Sequence, residues 1–289
     1  MTHVALYCFP GSLYSSIARL GLAEKGVRYE TRLVDIGPAM KNYSPEYMRL
    51  NPRGVVPTLV CDDQVVTDAT RIVAWVDEHL PGPSLTPPQD EAAERMRAWI
   101  ARADAIPFRE LSYASVKGPL RLLSEHVVMP RRLRLLRRHR DRNPALAERY
   151  EARIRDVEQW TQTLEDPAAI DRIWAQVHAT LDALEAELEH HRYVTGDRYG
   201  QADVLWTPAL ARLRMLGLDE GFGGRPRVAA YLARMKARPS FGEAGVVERL
   251  PAGRMLRIVG GFVLPRLAVA GAVVAALVWG LAWGLGRVP

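Results

Sequence analysis

The chain has 289 residues, 48% hydrophobic and 25% charged, which is enough apolar material for one large or two modest cores and excludes a disordered polymer. The net charge of +6 is carried mostly by arginine, with lysine only at 25, 41, 117 and 236, and no aromatic residues interleave with the basic run, which argues against nucleic acid. Two cysteines, Cys8 and Cys61, form neither a CxxC nor a metal-ligand spacing, which excludes a thioredoxin-type redox centre and fits a reducing compartment.

Val4 to Phe9 reads as a first strand, broken by Pro10-Gly11-Ser12, and Ser15 to Lys25 reads as a helix stopped at Gly26. Arg28 to Ile36 fits a second strand. From Asn51 to Thr70 the sequence is NPRGVVPTLVCDDQVVTDAT, in which two β-rich runs, Thr58-Leu59-Val60 and Val65-Val66-Thr67, flank the polar pair Asp62-Asp63 as a hairpin does. Pro57 opens the first run, a place that suits a residue without an N–H and where an X–Pro bond can be cis. A cis bond there would turn the Val56 main chain outward, free to pair with an extended peptide. Asp68 precedes an amphipathic stretch with Ile72, Val73, Val76 and Leu80 on one face, closed by Pro81-Gly82. It is a good helix cap, and the amides of Ala69 and Thr70 would meet a carboxylate at the positive end of the helix. The order β-α-β, then β-β-α, calls for a right-handed crossover.

Beyond the Pro-rich 81–88 segment the pattern is helical to about Arg238. A long helix is predicted from about Asp90 into the Ser112 region. The run PRRLRLLRRHRDR at 130–142 reads as a solvated helix face or, alternatively, as a contact with anionic lipid. Ile170, Ile173, Trp174, Val177, Leu181, Leu184 and Leu188 form one apolar stripe. In Gly200 to Trp206, Asp203 is placed to tie down a helix start, with Gly200 lacking the usual capping hydroxyl. Residues 267–286, LAVAGAVVAALVWGLAWGLG, carry no charge and match the length of a membrane-spanning helix, with Trp279 and Trp283 toward one end. Arg249, Arg254, Arg257 and Arg266 precede this segment and only Arg287 follows it, which predicts that the bulk of the chain faces the cytosol.

The N-P-x-G-x-V-P segment at 51–57, the hairpin and the acidic helix start together resemble the glutathione-binding domain of the glutathione S-transferase superfamily. LYCFPGSLYSS at 6–16, VDIG at 34–37 and RMKAR at 234–238 resemble zeta-class and tetrachlorohydroquinone dehalogenase-like transferases. The triplet Asp68-Ala69-Thr70, the lengthened basic region and the apolar end resemble the ganglioside-induced differentiation-associated protein family. The resemblance implies an α+β thioredoxin-like N-terminal domain, an all-α glutathione-transferase C-terminal domain and a single transmembrane helix. The corresponding boundaries are 1–81 for the first domain, 82–88 for a linker and 89–245 for the helical domain with its basic insertion near 130–142. A basic amphipathic juxtamembrane segment at 246–266 and a membrane helix at 267–286 complete the chain.

Glutathione is a thiol with an ordinary pKa of about 8.5, so a hydroxyl donor at a helix start would favour its reactive anion. Spacing alone leaves Ser12, Tyr14, Ser15 and Ser16 open for that role; the resemblance selects Ser12. It further implies that Val56 and Pro57 hold the cysteinyl backbone, that Asp68 meets the γ-glutamyl amino end and that Lys41 lies near the glycyl carboxylate. Ala69 stands where most relatives have serine, so the amide is kept and a hydroxyl bond of about 1 kcal/mol is lost. Tyr14 stands where the dehalogenases carry a reactive cysteine, so reductive dehalogenation is not expected. The function implied is a membrane-anchored transferase joining glutathione, its cosubstrate, to a small apolar electrophile, with no metal. The alternative is a catalytically weak membrane-anchored interaction or regulatory protein of the same fold. Expected partners are glutathione, the electrophile, a lipid bilayer through Leu267 to Gly286 and, as is common in the superfamily, a second copy of the chain.

Overall fold

A computed structural model describes residues 3–248. Strand β1 (Val4–Cys8), helix α1 (Leu13–Glu24) and strand β2 (Glu30–Leu33) form a βαβ unit in which β1 and β2 are parallel. A 3-10 turn at Lys41–Tyr43 and a short α2 (Pro45–Leu50) lead to the hairpin β3 (Thr58–Cys61) and β4 (Gln64–Thr67), followed by α3 (Ala69–His79). The sheet order is β2-β1-β3-β4, with β3 antiparallel to both neighbours. Because successive strand residues point to opposite faces, Leu6 and Cys8 pack with Leu22, Leu59, Ile72 and Val76 under α1 and α3. Tyr7 and Phe9 point the other way, toward Val34, Tyr47 and Val56 beside α2.

The second strand is shorter than its composition predicts. Past Leu33 the Asp35 carboxylate accepts from the amides of Gly37 at 2.7 Å and Ala39 at 3.3 Å, which turns the chain out of the sheet. At the end of α3, Gly82 has φ +125°, and a Cβ there would meet the Lys25 carbonyl oxygen at 2.2 Å. Only glycine lets the chain pass so close to α1 on its way to the helices.

The second domain comprises α4 (Asp90–Asp104), α5 (Phe108–Ala114), α6 (Pro119–Leu123), α7 (Met129–Arg142), α8 (Ala147–Glu165), α9 (Pro167–His190), α10 (Gln201–Met215), α11 (Pro226–Lys236) and α12 (Pro239–Glu243). The predicted long helix from Asp90 is two, interrupted at Ile106-Pro107, where proline supplies no N–H to continue the ladder. Helix α10 is buried almost all round and forms the axis of this domain: the Trp206 indole donates to the Trp99 carbonyl at 3.0 Å. The stripe Val177, Leu181, Leu184 and Leu188 on α9 joins the same core.

The basic run is helix α7, paired with α8 as an antiparallel hairpin. Arg137 binds Glu158 at 2.8 Å and Arg140 binds Glu151 at 2.9 Å, so part of the charge is answered within the chain. This hairpin folds back on the first domain, where Met40, Tyr43 and Met48 share a small core with Leu136, Tyr150 and Trp160.

The expectation of a transmembrane helix, and with it of a single-pass membrane location, is corrected here. Among the described residues no helix is long and apolar enough to cross a membrane. The longest, α9, has its apolar stripe on one side only, as a helix covering a core does. The segment at 267–286 lies outside the described residues, as does most of 246–266.

Candidate functional site

Strand register sets the site. Tyr7 pairs with Thr58 and Thr58 with Thr67, so these three residues form one row across the sheet. The chain leaving β1 toward Ser12, the chain entering β3 through Val56-Pro57, and Asp68 just after β4 therefore meet at one end of the sheet.

Ser12 is the N-cap of α1, with extended backbone and its Oγ accepting from the Ser15 amide at 3.2 Å. Accepting leaves its hydroxyl proton free to be donated. The neighbouring serines are committed elsewhere. Ser15 Oγ, fully buried, accepts from the Phe9 amide at 3.2 Å, and Ser16 Oγ donates to the Ser12 carbonyl at 3.1 Å while accepting from Arg19 at 3.0 Å. Tyr14 is 39% exposed and its hydroxyl has no partner among the described residues. Partial withdrawal from water, helped by the carboxylates of Glu110 and Asp104, pushes its phenol up to about 12, so it remains a neutral donor.

The Val56–Pro57 bond is cis. The loop before it is held by buried side chains. Tyr47 donates to the Val55 carbonyl at 2.7 Å, Asn51 Nδ2 to the same carbonyl at 2.8 Å and to Thr58 Oγ1 at 2.9 Å, and Asn42 Nδ2 to the Gly54 carbonyl at 2.8 Å. Val56 is only 5% exposed, yet neither its N–H nor its C=O has a partner among the described residues. Paired main chain is the rule in such surroundings, so the Val56 N–H and C=O stand out as groups still open to a hydrogen-bond partner.

Asp68 caps α3 through Oδ1, which accepts from Thr70 N at 3.1 Å and Arg71 N at 3.4 Å. Its φ of +81° is a conformation that side-chain-bearing residues rarely adopt and costs on the order of 1–3 kcal/mol. Oδ2 accepts from Arg53 at 3.2 Å. Ala69 is buried behind it, and its amide has no partner among the described residues. Lys41 is exposed at the head of the 3-10 turn, which the Asn42 bond to Gly54 ties to the same loop.

Several neighbours were not legible in the sequence. Thr70 Oγ1 donates to Asp104 at 2.8 Å, and burial, with Asp68 nearby, pushes the Asp104 carboxyl up. Arg109 is held by Glu110 at 2.9 Å and Asp156 at 3.0 Å. Arg212 on α10 donates to the Gly11 carbonyl at 2.7 Å. No local motif links these positions. Asn51 does stand in the N-P-x-G segment, where its buried bracing role could have been weighed.

Asp203 is structural. It accepts from the amides of Val194 at 2.8 Å, Thr195 at 3.3 Å and Gly200 at 3.0 Å, and from the Tyr231 hydroxyl at 2.7 Å. A Cβ at Gly200 would lie 2.7 Å from the Leu85 carbonyl and from Thr195, which explains the missing capping hydroxyl. Among the described residues no cluster of three metal-ligating side chains exists. Two cavities, of about 930 and 750 Å³, open elsewhere, and Ser12, Val56 and Asp68 line neither.

Residues 11–79 match the model of the glutathione S-transferase N-terminal domain and residues 167–234 that of its C-terminal domain. The chain is 33% identical over 254 residues to a tetrachloro-p-hydroquinone reductive dehalogenase of Sphingobium chlorophenolicum, covering 88% of this chain and all of that one. The chain belongs to the glutathione S-transferase superfamily. It is also 25% identical over 267 residues to the human ganglioside-induced differentiation-associated protein 1-like 1, covering 82% of this chain and 72% of that protein. Among solved structures it is similar in fold to a theta-class glutathione S-transferase of Xanthomonas axonopodis with glutathione bound. That likeness has a TM-score of 0.62 at 22% identity and covers 86% of this chain and 98% of the other. Helices α4 to α8, the α7–α8 hairpin among them, fall between the two matched segments.

Proposed function

We propose that this superfamily member is a glutathione transferase that joins the glutathione thiolate to an apolar electrophile. The observation that carries the reading is the convergence at one sheet end of an uncommitted Ser12 hydroxyl, an unpaired Val56 main chain and the Asp68 carboxylate. Val56 would pair with the cysteinyl backbone of the tripeptide as an added strand does. Asp68 would meet the γ-glutamyl ammonium, the Ala69 amide its carboxylate, and Lys41 the glycyl carboxylate. Ser12 at the positive end of α1 would donate to the sulfur, and lowering the thiol pKa by about two units raises its reactive fraction roughly twentyfold at neutral pH. The exposed ring of Tyr14 offers an apolar surface beside the sulfur. Ser12→Ala is expected to lower glutathione-dependent turnover about 10²-fold while leaving the fold intact, and unchanged turnover rejects the assignment.

One observation favours a second reading, a catalytically weak interaction or regulatory protein of the same fold. Arg53 already pairs with Asp68, and Ala69 offers no hydroxyl, so the γ-glutamyl end would meet a partly occupied site. Calorimetry separates the two: a dissociation constant near 1 mM or below supports the enzyme, and no binding up to roughly 10 mM supports the alternative.

A further inference from the structure

The α7–α8 hairpin grips the main chain of the segment that leads to Val56. Tyr150 on α8, fully buried, donates to the Tyr43 carbonyl at 2.9 Å. Its neighbour Arg149 donates to the carbonyls of Met48 at 3.0 Å and Arg49 at 3.3 Å, and Arg153, one turn on, to the Tyr43 hydroxyl at 3.4 Å. Tyr43 and Met48, the residues held in this way, are buried and share a core with Leu136 and Trp160 of the hairpin. They are also the residues against which the next turn is laid. A Cβ at Gly54 would meet Met48 Sδ at 2.8 Å, the Asn42 carbonyl oxygen at 3.2 Å and Tyr43 Cδ1 at 3.2 Å. Asn42 Nδ2 closes the same contact on the Gly54 carbonyl, just before Val56, and Lys41 heads the 3-10 turn that contains both Asn42 and Tyr43. A chain of close contacts thus runs from α8 through Tyr43 and Met48 to Gly54 and on to Val56. Close-packed interiors pass a displacement on rather than absorb it.

We propose that the α7–α8 hairpin sets the affinity of the site for glutathione, with Arg149 and Tyr150 as positioning residues that keep the 41–56 segment in the form that receives the tripeptide. The inference rests on the glutathione-transferase reading and adds to it a control point in the helical domain. Neither side chain acts on the tripeptide directly. What they hold is the spacing between Lys41, at the glycyl end, and the Val56 N–H and C=O, at the cysteinyl end. Ser12 is positioned by α1 and the loop before it, without the hairpin. Coupling between two places is reciprocal in binding free energy. Bound glutathione therefore steadies the hairpin to the degree that the hairpin favours glutathione.

The test compares wild type, Tyr150→Phe, Arg149→Met, Arg149→Lys and Arg137→Met by calorimetry with glutathione and by hydrogen exchange with and without it. Tyr150→Phe deletes only the hydroxyl bond to Tyr43, and Arg149→Met the two carbonyl bonds. Arg137→Met is the control, because it breaks the Arg137–Glu158 pair, which lies wholly within the hairpin. Tyr150→Phe and Arg149→Met are each expected to raise the glutathione Kd about tenfold, with Arg149→Lys restoring part of the affinity. The control is expected to stay within about threefold of wild type. Glutathione is expected to slow amide exchange in α7 and α8 of the wild type, and to do so less in Tyr150→Phe. If Tyr150→Phe does not fold, Arg149→Met, at an exposed position, carries the measurement. A Kd within about threefold of wild type in both positioning variants, or an equal rise in the control, overturns the proposal. So does hairpin exchange that glutathione leaves unchanged in the wild type. A wild type that binds no glutathione up to roughly 10 mM defeats the transferase reading itself, and this proposal with it.

Discussion

Asp77 is the residue on which the two domains are joined, and Asp77→Asn measures that joint. Its Oδ1 accepts from Lys25 Nζ at 3.1 Å and from the Leu85 amide at 2.8 Å, and its Oδ2 from Thr86 Oγ1 at 2.7 Å and Gln201 Nε2 at 3.1 Å. Helices α1, α3 and α10 and the linker are thereby tied to one carboxylate. The Lys25 and Asp77 side chains are only 2% and 5% exposed, so the pair lies out of water. Asparagine keeps the shape but removes the charge, leaving the ammonium with the Asp77 main-chain carbonyl at 3.0 Å as its remaining partner. Removing one member of a buried pair costs about 3–5 kcal/mol, and two of the four donors, those on one carboxylate oxygen, now face an amide NH₂. A loss of about 4 kcal/mol lowers the melting temperature by roughly 10 °C in a chain of this size. Urea unfolding at neutral pH, followed by tryptophan fluorescence, reads it. Burial pushes the Asp77 carboxyl up, but the bonds from Leu85, Thr86, Gln201 and Lys25 outweigh it and hold the pKa below the ordinary 3.8. A carboxyl depressed in the folded state contributes stability that is full above its unfolded value and is lost as pH falls through the folded one. The gap between wild type and variant therefore narrows only below the ordinary 3.8. A loss under about 1 kcal/mol, or a gap unchanged well below that pH, refutes the reasoning.

Asp203→Ala strands three buried backbone N–H groups and the Tyr231 hydroxyl, and is expected to cost about 4 kcal/mol in the same assay; a cost near zero means that water or a rearranged turn satisfies them. Burial would push the Tyr43 phenol up, but the guanidinium groups of Arg132 and Arg153 outweigh it and hold it down at about 8, against an ordinary 10. The sign follows: the linked stability is full above pH 10 and is lost as pH falls through 8. Relative to Tyr43→Phe, the wild type should therefore gain about 2 kcal/mol between these limits, and parallel stability curves for the two proteins contradict this.

What the sequence made legible is what short-range rules govern. The hairpin was visible because β-rich runs flank a polar pair, α1 and α3 because breakers and caps bracket them, and Ser12 and Asp68 because a cap is a local role. Helix α2 escaped because Pro45–Leu50 is too short to show a period; it is held by the Ser44 cap and by Tyr47 reaching the Val55 carbonyl. The arginine run was visible as charge, but its acceptors on α8 were not, since Arg137 and Glu158 are 21 residues apart. The same separation of scales divides the site. Its main-chain edge at Val56 comes from one contiguous domain whose turns obey local chemistry. The charged groups facing that edge arrive from far along the chain, Arg212 being 201 residues from the carbonyl it holds. Domain packing alone brings a cation of α10 beside a serine of the first loop. The long-range charged contacts around the site are therefore the part that no motif announces.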